Sequence, residues 1–262
     1  MTEEPNNDEW QAPLPPELIK KEEPRMSVPA TLMNIFFDPG ATFEDLRRKP
    51  RFLVAGLIVI LAITIFTLAP MQKLGFENIV KARLESNERI QQLDSEQRAK
   101  VIEQQTGTVA KVISYVATPI VFLIVFLIGG LLYWVGANAM GGSAGFLQGL
   151  SVYIYSSLPP TLLFVIANLI VLLLKPVDDI DLTTIQNGLV QANPSMFMNA
   201  KAMPALAAAM SAFDLFAIWG WVLAAIGLQK VAKISSGKAW AVVLILGLIG
   251  VTMKVVLAAL FA

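Results

Sequence analysis

Two ionisable side chains, Asp214 and Lys254, stand alone in otherwise uncharged stretches, residues 204–228 and 239–262. Apolar stretches of this length read as membrane spans, and a lone charge at the centre of one costs about 2.5–3.5 kcal/mol even on the lenient insertion scale, so each residue needs a partner. Asp214 lies nine residues from Ala205, and Lys254 eight from Ala262. At 1.5 Å per residue these are depths of about 14 Å and 12 Å from one side, so the two are expected to meet as an intramembrane ion pair. Ala207, Ser211, Ala217, Trp221 and Ala224 flank Asp214 at helical spacings, and Gly247 and Gly250 share the face of Lys254, which suits close approach. Such a pair either locks the packing of two helices or serves as a proton or ion relay. A lysine that snorkels to the interface is the plainest alternative.

Two further groups could shape a site. Pro159 and Pro160 remove two backbone donors from one span, so that helix is expected to kink or break near mid-membrane. Gly141, Gly142 and Gly145 fall in NAMGGSAG, read as a flexible hinge loop between two spans. Asp178, Asp179 and Asp181 lack the spacing of a known calcium loop and read as a solvated acidic turn. Cysteine and histidine are both absent, so no disulfide, thiolate or imidazole metal site and no nucleophile–histidine set can be built. The expectation is no catalytic residue, no metal and no cofactor.

The elements that must position these residues are helices in a bilayer. Residues 112–174 hold no Asp, Glu, Lys or Arg over 63 positions, enough for two crossings of about 20 residues and a turn. Hydrophobic residues make up 55 % of the chain and charged ones 15 %, and the 20 basic and 20 acidic residues balance. The fold class is therefore an all-α integral membrane protein, a five-span bundle with spans at 52–70, 112–137, 149–174, 204–228 and 239–262. Between the first two spans, residues 73–110 are expected to form an extramembrane helical hairpin. Its two helices are expected at about 73–91 and 95–110, the second capped by Asp94 with Gln97 three residues on. Residues 1–29, rich in proline and acid, read as a disordered tail and not a signal peptide. Trp10, Leu14, Pro15 and Pro16 would serve a partner if the tail is a docking peptide. Asp38 and Pro39 open a short amphipathic helix that ends in Arg47, Arg48 and Lys49, and it is expected at headgroup level.

Arg47, Arg48, Lys49 and Arg51 precede the first span, and Lys230, Lys233 and Lys238 lie between the last two. With five spans these clusters share a side, and the positive-inside rule makes it cytoplasmic, with the N-terminus inside and the C-terminus outside.

Three stretches carry a resemblance. Residues 36–52 read FFDPGATFEDLRRKPRF, 141–160 read GGSAGFLQGLSVYIYSSLPP, and 214–228 read DLFAIWGWVLAAIGL. In this order, with five spans, the chain from residue 30 to 262 resembles the Yip1 family of polytopic membrane proteins in its bacterial form. The resemblance implies a multi-pass protein of the bacterial inner membrane. Eukaryotic relatives bind prenylated GTPases and shape membranes, whereas some bacterial relatives accompany export pumps. The expected function is a non-enzymatic scaffold or accessory subunit of a membrane complex, export- or envelope-related. The alternative is a small-solute or ion transporter or channel using Asp214, Lys254 and the kinked third span. Expected partners are the lipid bilayer and another membrane protein, with no nucleic acid, and a homo-oligomer is left open.

Overall fold

A computed structural model describes residues 23–199 and 202–261, so most of the proline-rich tail, with Trp10 and Leu14, lies outside the described residues. Five helices are long and apolar enough to cross a membrane: Leu53–Glu85, Thr108–Ala139, Phe146–Leu174, Leu215–Ala232 and Ser236–Leu260. Among the described residues there is no strand.

The first helix begins inside the stretch expected as tail. Ser27 caps α1 (Val28–Asn34), its hydroxyl accepting from the Ala30 amide. The carboxylate of Asp38 then accepts from the Ala41 amide and starts α2 (Pro39–Arg48) with proline in the first turn, where a missing N–H costs nothing. The apolar face of α2 is covered by protein. Thr42, Phe43, Asp45 and Leu46 are all buried, and Phe43 is seated against Gly227. Asp45, 1 % exposed, pairs with Arg51 at 3.3 Å and accepts from the Met26 amide, so one buried carboxylate ties the segment before α1 to the start of the first span.

That span, α3 (Leu53–Pro70), does not end at its proline. Pro70 cannot donate to the ladder, and the helix passes through a π turn, Met71–Gly75, into α4 (Phe76–Glu85). The helix expected over 73–91 is therefore divided. Asn87 accepts from the Arg89 amide and restarts the chain as α5 (Glu88–Gln91). The Asp94 cap is present, accepting from Gln97 N at 2.8 Å at the start of α6 (Ser95–Thr106), and α6 contacts α4. The second span, α7 (Thr108–Ala139), is 32 residues and about 48 Å long, so it overshoots a hydrocarbon core of about 30 Å.

At the centre of the bundle is α8 (Phe146–Leu174), which packs on α7, α3 and the fourth span. Leu150, Tyr155, Leu158, Pro159 and Pro160 are buried. The helix runs unbroken through Pro159 and Pro160. Contact with α7 is close because both helices present glycine. A β-carbon at Gly130 would stand 2.7 Å from Leu150 Cα, and one at Gly149 would stand 2.8 Å from the Gly130 carbonyl oxygen.

The turn expected as a hinge is fastened. The Ala144 carbonyl accepts from the Trp134 indole and the Asn138 amide side chain, both at 2.9 Å, and Ala144 N donates to Asn138 Oδ1 at 3.0 Å. Ser143 N also donates to the Ala232 carbonyl at 3.2 Å. Gly141 supplies a left-handed φ of +86°, Gly142 has no room for a β-carbon beside the Ala137 carbonyl, and Gly145 N donates to Gln148 Oε1 at 2.7 Å.

If the α7–α8 contact carries the bundle, Gly130→Ala must force Leu150 and its helix outward. Its thermal midpoint in detergent is expected to fall by about 3–8 °C, corresponding to about 1–3 kcal/mol of overpacking. Gly250→Ala, where nothing lies within 4 Å, is the control and should leave the midpoint unchanged.

Candidate functional site

The fourth span is not the single helix expected over 204–228. It is divided into α9 (Pro204–Met210) and α10 (Leu215–Ala232), with the chain turning at Ser211, Ala212 and Phe213. Asp214 is the reason. Its backbone is extended, and its carboxylate accepts from the Phe216 amide at 2.9 Å, so it is the N-cap of α10 and not a charge in mid-helix. The other carboxylate oxygen accepts from Ala192 N at 3.3 Å and Asn193 Nδ2 at 3.1 Å, and Leu215 N donates to the Ala192 carbonyl. An acid before an apolar run is a sequence signal for a helix start. Taken as the middle of one long span, it was legible only as a buried charge.

Lys254 stands in the fifth span, α11 (Ser236–Phe261), and α11 lies against α9. Asp214 and Lys254 line one cavity of about 450 Å³ with Asn187, Gln191, Asn193 and Ser211. The two residues expected to meet thus line one cavity, but among the described residues no ion pair joins them. Asp214 is charge-stabilised by three N–H donors instead.

Asp214 also lines a second cavity of about 450 Å³ running into the bundle between α3, α7, α8 and α10. Its walls are apolar: Phe66, Phe122, Phe164 and Phe216, with Pro160 and Gly220 at the α8–α10 side. Pro160 of the double proline thus borders a site adjoining Asp214, as the transporter reading requires. The walls oppose that reading, because an ion passing from Asp214 toward Pro160 would exchange its hydration for phenyl rings.

The loop over the site is fixed by residues that no motif flagged. Asn168, buried in α8, accepts from Val190 N at 2.9 Å, and Gly188, with φ +89°, passes so close that a β-carbon would stand 2.8 Å from Asn168 Oδ1. The Lys73 ammonium donates to the carbonyls of Leu172 and Lys175, placing a cation on the C-terminus of α8 where the helix dipole favours it. Asp178 and Asp179 lie in a short 3₁₀ turn, Val177–Asp179, and Asp181 accepts from Thr183, as in an ordinary capped loop. Among the described residues no cluster of acids could hold a metal ion.

These contacts change what mutagenesis should report. Asparagine caps a helix as well as aspartate does, so Asp214→Asn should cost less than about 1 kcal/mol, whereas Asp214→Ala loses the cap and strands three donors at about 1–3 kcal/mol. Lys254→Met should be near neutral, and the Asp214→Asn/Lys254→Met double variant should show additive losses in thermal unfolding. A double variant more stable than either single one would mean that the two charges do pair.

The Yip1 domain profile matches residues 33–258. The protein named Membrane protein YknW of Bacillus subtilis (strain 168) is 28 % identical over 218 residues, covering 82 % of this chain and 84 % of that one. No solved structure matches the chain. The family's sequence pattern now has a physical content here: Asp38 and Pro39 start α2, Thr42 donates to the Asp38 carbonyl, Phe43 fills the space over Gly227, and Asp214 starts α10. With its five spans and a profile match over most of its length, this chain is a membrane protein belonging to the Yip1 family.

Proposed function

We propose that the protein is a non-enzymatic scaffold or accessory subunit of a complex in the bacterial inner membrane, with its basic face toward the cytoplasm. The observation that carries this reading is the condition of α11. Only 11 % of its most apolar stretch is buried, against 28–39 % in the other four spans. Leu248, Ile249, Met253, Val256 and Leu257 are exposed, and Gly250 has open space before it. Small residues on an uncovered span let another helix approach closely, which is how helices associate in lipid. One side of α11 is held, through Gly247 against Trp221 and through the α9 contact, and the other is offered.

The orientation rests on charge. Gln148 donates to the Arg47 carbonyl at 2.6 Å, Lys230 passes beside Gly40, and Lys238 passes beside Gly141. Both basic clusters therefore meet on one face, and basic residues near span ends mark the cytoplasmic side.

The chain has no cysteine, so every introduced thiol is unique. Ile249→Cys and Leu257→Cys, each carrying a photo-crosslinker in native membranes, should form one stoichiometric protein adduct, while Leu57→Cys on α3 should yield mainly lipid adducts. Equal capture from α3 and α11 would contradict a dedicated interface, and solute flux through the purified chain in liposomes would overturn the scaffold reading.

A further inference from the structure

The polar cavity and the apolar slot meet at Asp214, and together they have the shape and chemistry of a site for one amphiphile. We propose that they bind a single phosphatidylethanolamine molecule from the leaflet on the side of α9, its headgroup between Asp214 and Lys254 and one acyl chain in the slot below.

Charge complementarity selects the headgroup. Lys254 has no ion-pair partner among the described residues, and an unpaired ammonium over a polar cavity takes a phosphate as a point-charge ligand. Asp214 already accepts three N–H bonds, and a carboxylate offers about four lone-pair positions, so it retains room for one more donor. A headgroup carrying both a phosphate and an ammonium satisfies the two residues together without requiring them to touch each other. Phosphatidylglycerol would satisfy Lys254 but offer Asp214 only neutral glycerol hydroxyls where phosphatidylethanolamine places an ammonium. Asn187, Gln191 and Asn193 add neutral polar groups around the glycerol and ester region.

The slot selects a lipid over a soluble zwitterion. Its volume of about 450 Å³ is walled by four phenylalanines, and Gly220 adds no side chain to its α10 wall. A concave apolar site with a few convergent polar groups at one end is the general form of a ligand pocket. Pro160 also withholds a backbone donor on this wall, and the Ser157 hydroxyl beside it donates to the Ile154 carbonyl.

The test is thermal unfolding of the full chain in detergent after lipid removal, titrated with dioleoylphosphatidylethanolamine, dioleoylphosphatidylglycerol or soluble glycerophosphoethanolamine. The lipid-free midpoint of every variant serves as its own baseline. Phosphatidylethanolamine at saturation should raise the wild-type midpoint by about 5–10 °C, phosphatidylglycerol by less than half of that, and the soluble headgroup by almost nothing. Lys254→Gln, which removes the phosphate contact, and Ala217→Leu, which fills the slot, should each abolish the phosphatidylethanolamine shift. Equal shifts from both phospholipids in the wild type would overturn the proposal, as would an undiminished shift in either variant. If a variant does not fold, the wild-type comparison of the three ligands decides alone.

Discussion

The bundle depends on the near-contact of two backbones, α7 and α8, at Gly130 and Gly149. In a bilayer, apolar side chains gain little by leaving lipid for protein, so helices associate through dispersion over closely fitted surfaces. Side chains on both partners would separate the axes and forfeit that fit. Glycine brings the Leu150 backbone against Gly130, while the Tyr153 ring lies over Gly129 and stacks edge-on with Phe126 and Tyr133. Once α8 is seated on α7, its other sides receive α3 and α10, and the residues around Pro159 and Pro160 become the buried centre of the molecule.

The ends of this core are fixed by charge. On one face, Asp45 and Arg51 form a buried pair, and removing one member of such a pair typically costs about 3–5 kcal/mol because the other is left uncompensated. On the opposite face, Lys73 satisfies carbonyls at the end of α8, and Asp214 satisfies amides at the start of α10. A small second core of Leu74, Leu172, Ile180 and Ile185 lies beneath Lys73 and links the π turn to the acidic loop. The apolar midsection is thus held by close packing and the interfaces by directed bonds. Asp214 belongs to the second system, its carboxylate bonded to amides, and a cavity and not an ion pair lies between it and Lys254.

Much of this was legible from residues 112–174, where the absence of charge alone demands two crossings, and from Asp38 and Asp94, whose capping roles follow from short-range chemistry. The errors share a cause. Pro70, Asn87 and Asp214 act through backbone geometry, and a count of apolar residues passes over them: Pro70 shifts the helix into a π turn, Asn87 restarts one, and Asp214 begins one. Pro159 and Pro160 were read as a kink or a break, and α8 runs through them without a break where tertiary packing surrounds it. The glycine turn at 141–145 looked mobile by composition, but Asn138 and Trp134 fasten it from the preceding helix, a contact no local pattern reveals. The cover of the site by Asn168 and Gly188 was equally hidden, because it joins residues 20 positions apart.

The central claim is that the molecule has two chemically distinct faces, a basic one at Arg47 and Lys230–Lys238 and an opposite one bearing α6, the acidic loop and the cavity at Asp214. Labelling of single cysteines by a membrane-impermeant maleimide on intact cells tests it most directly. Gln92→Cys and Gln186→Cys, both exposed, should label from outside, and Ser236→Cys, also exposed, should label only after the membrane is opened. Labelling of Ser236→Cys on intact cells together with either of the other two would place both faces on one side and contradict the five-span arrangement, and labelling of Ser236→Cys alone would invert its orientation.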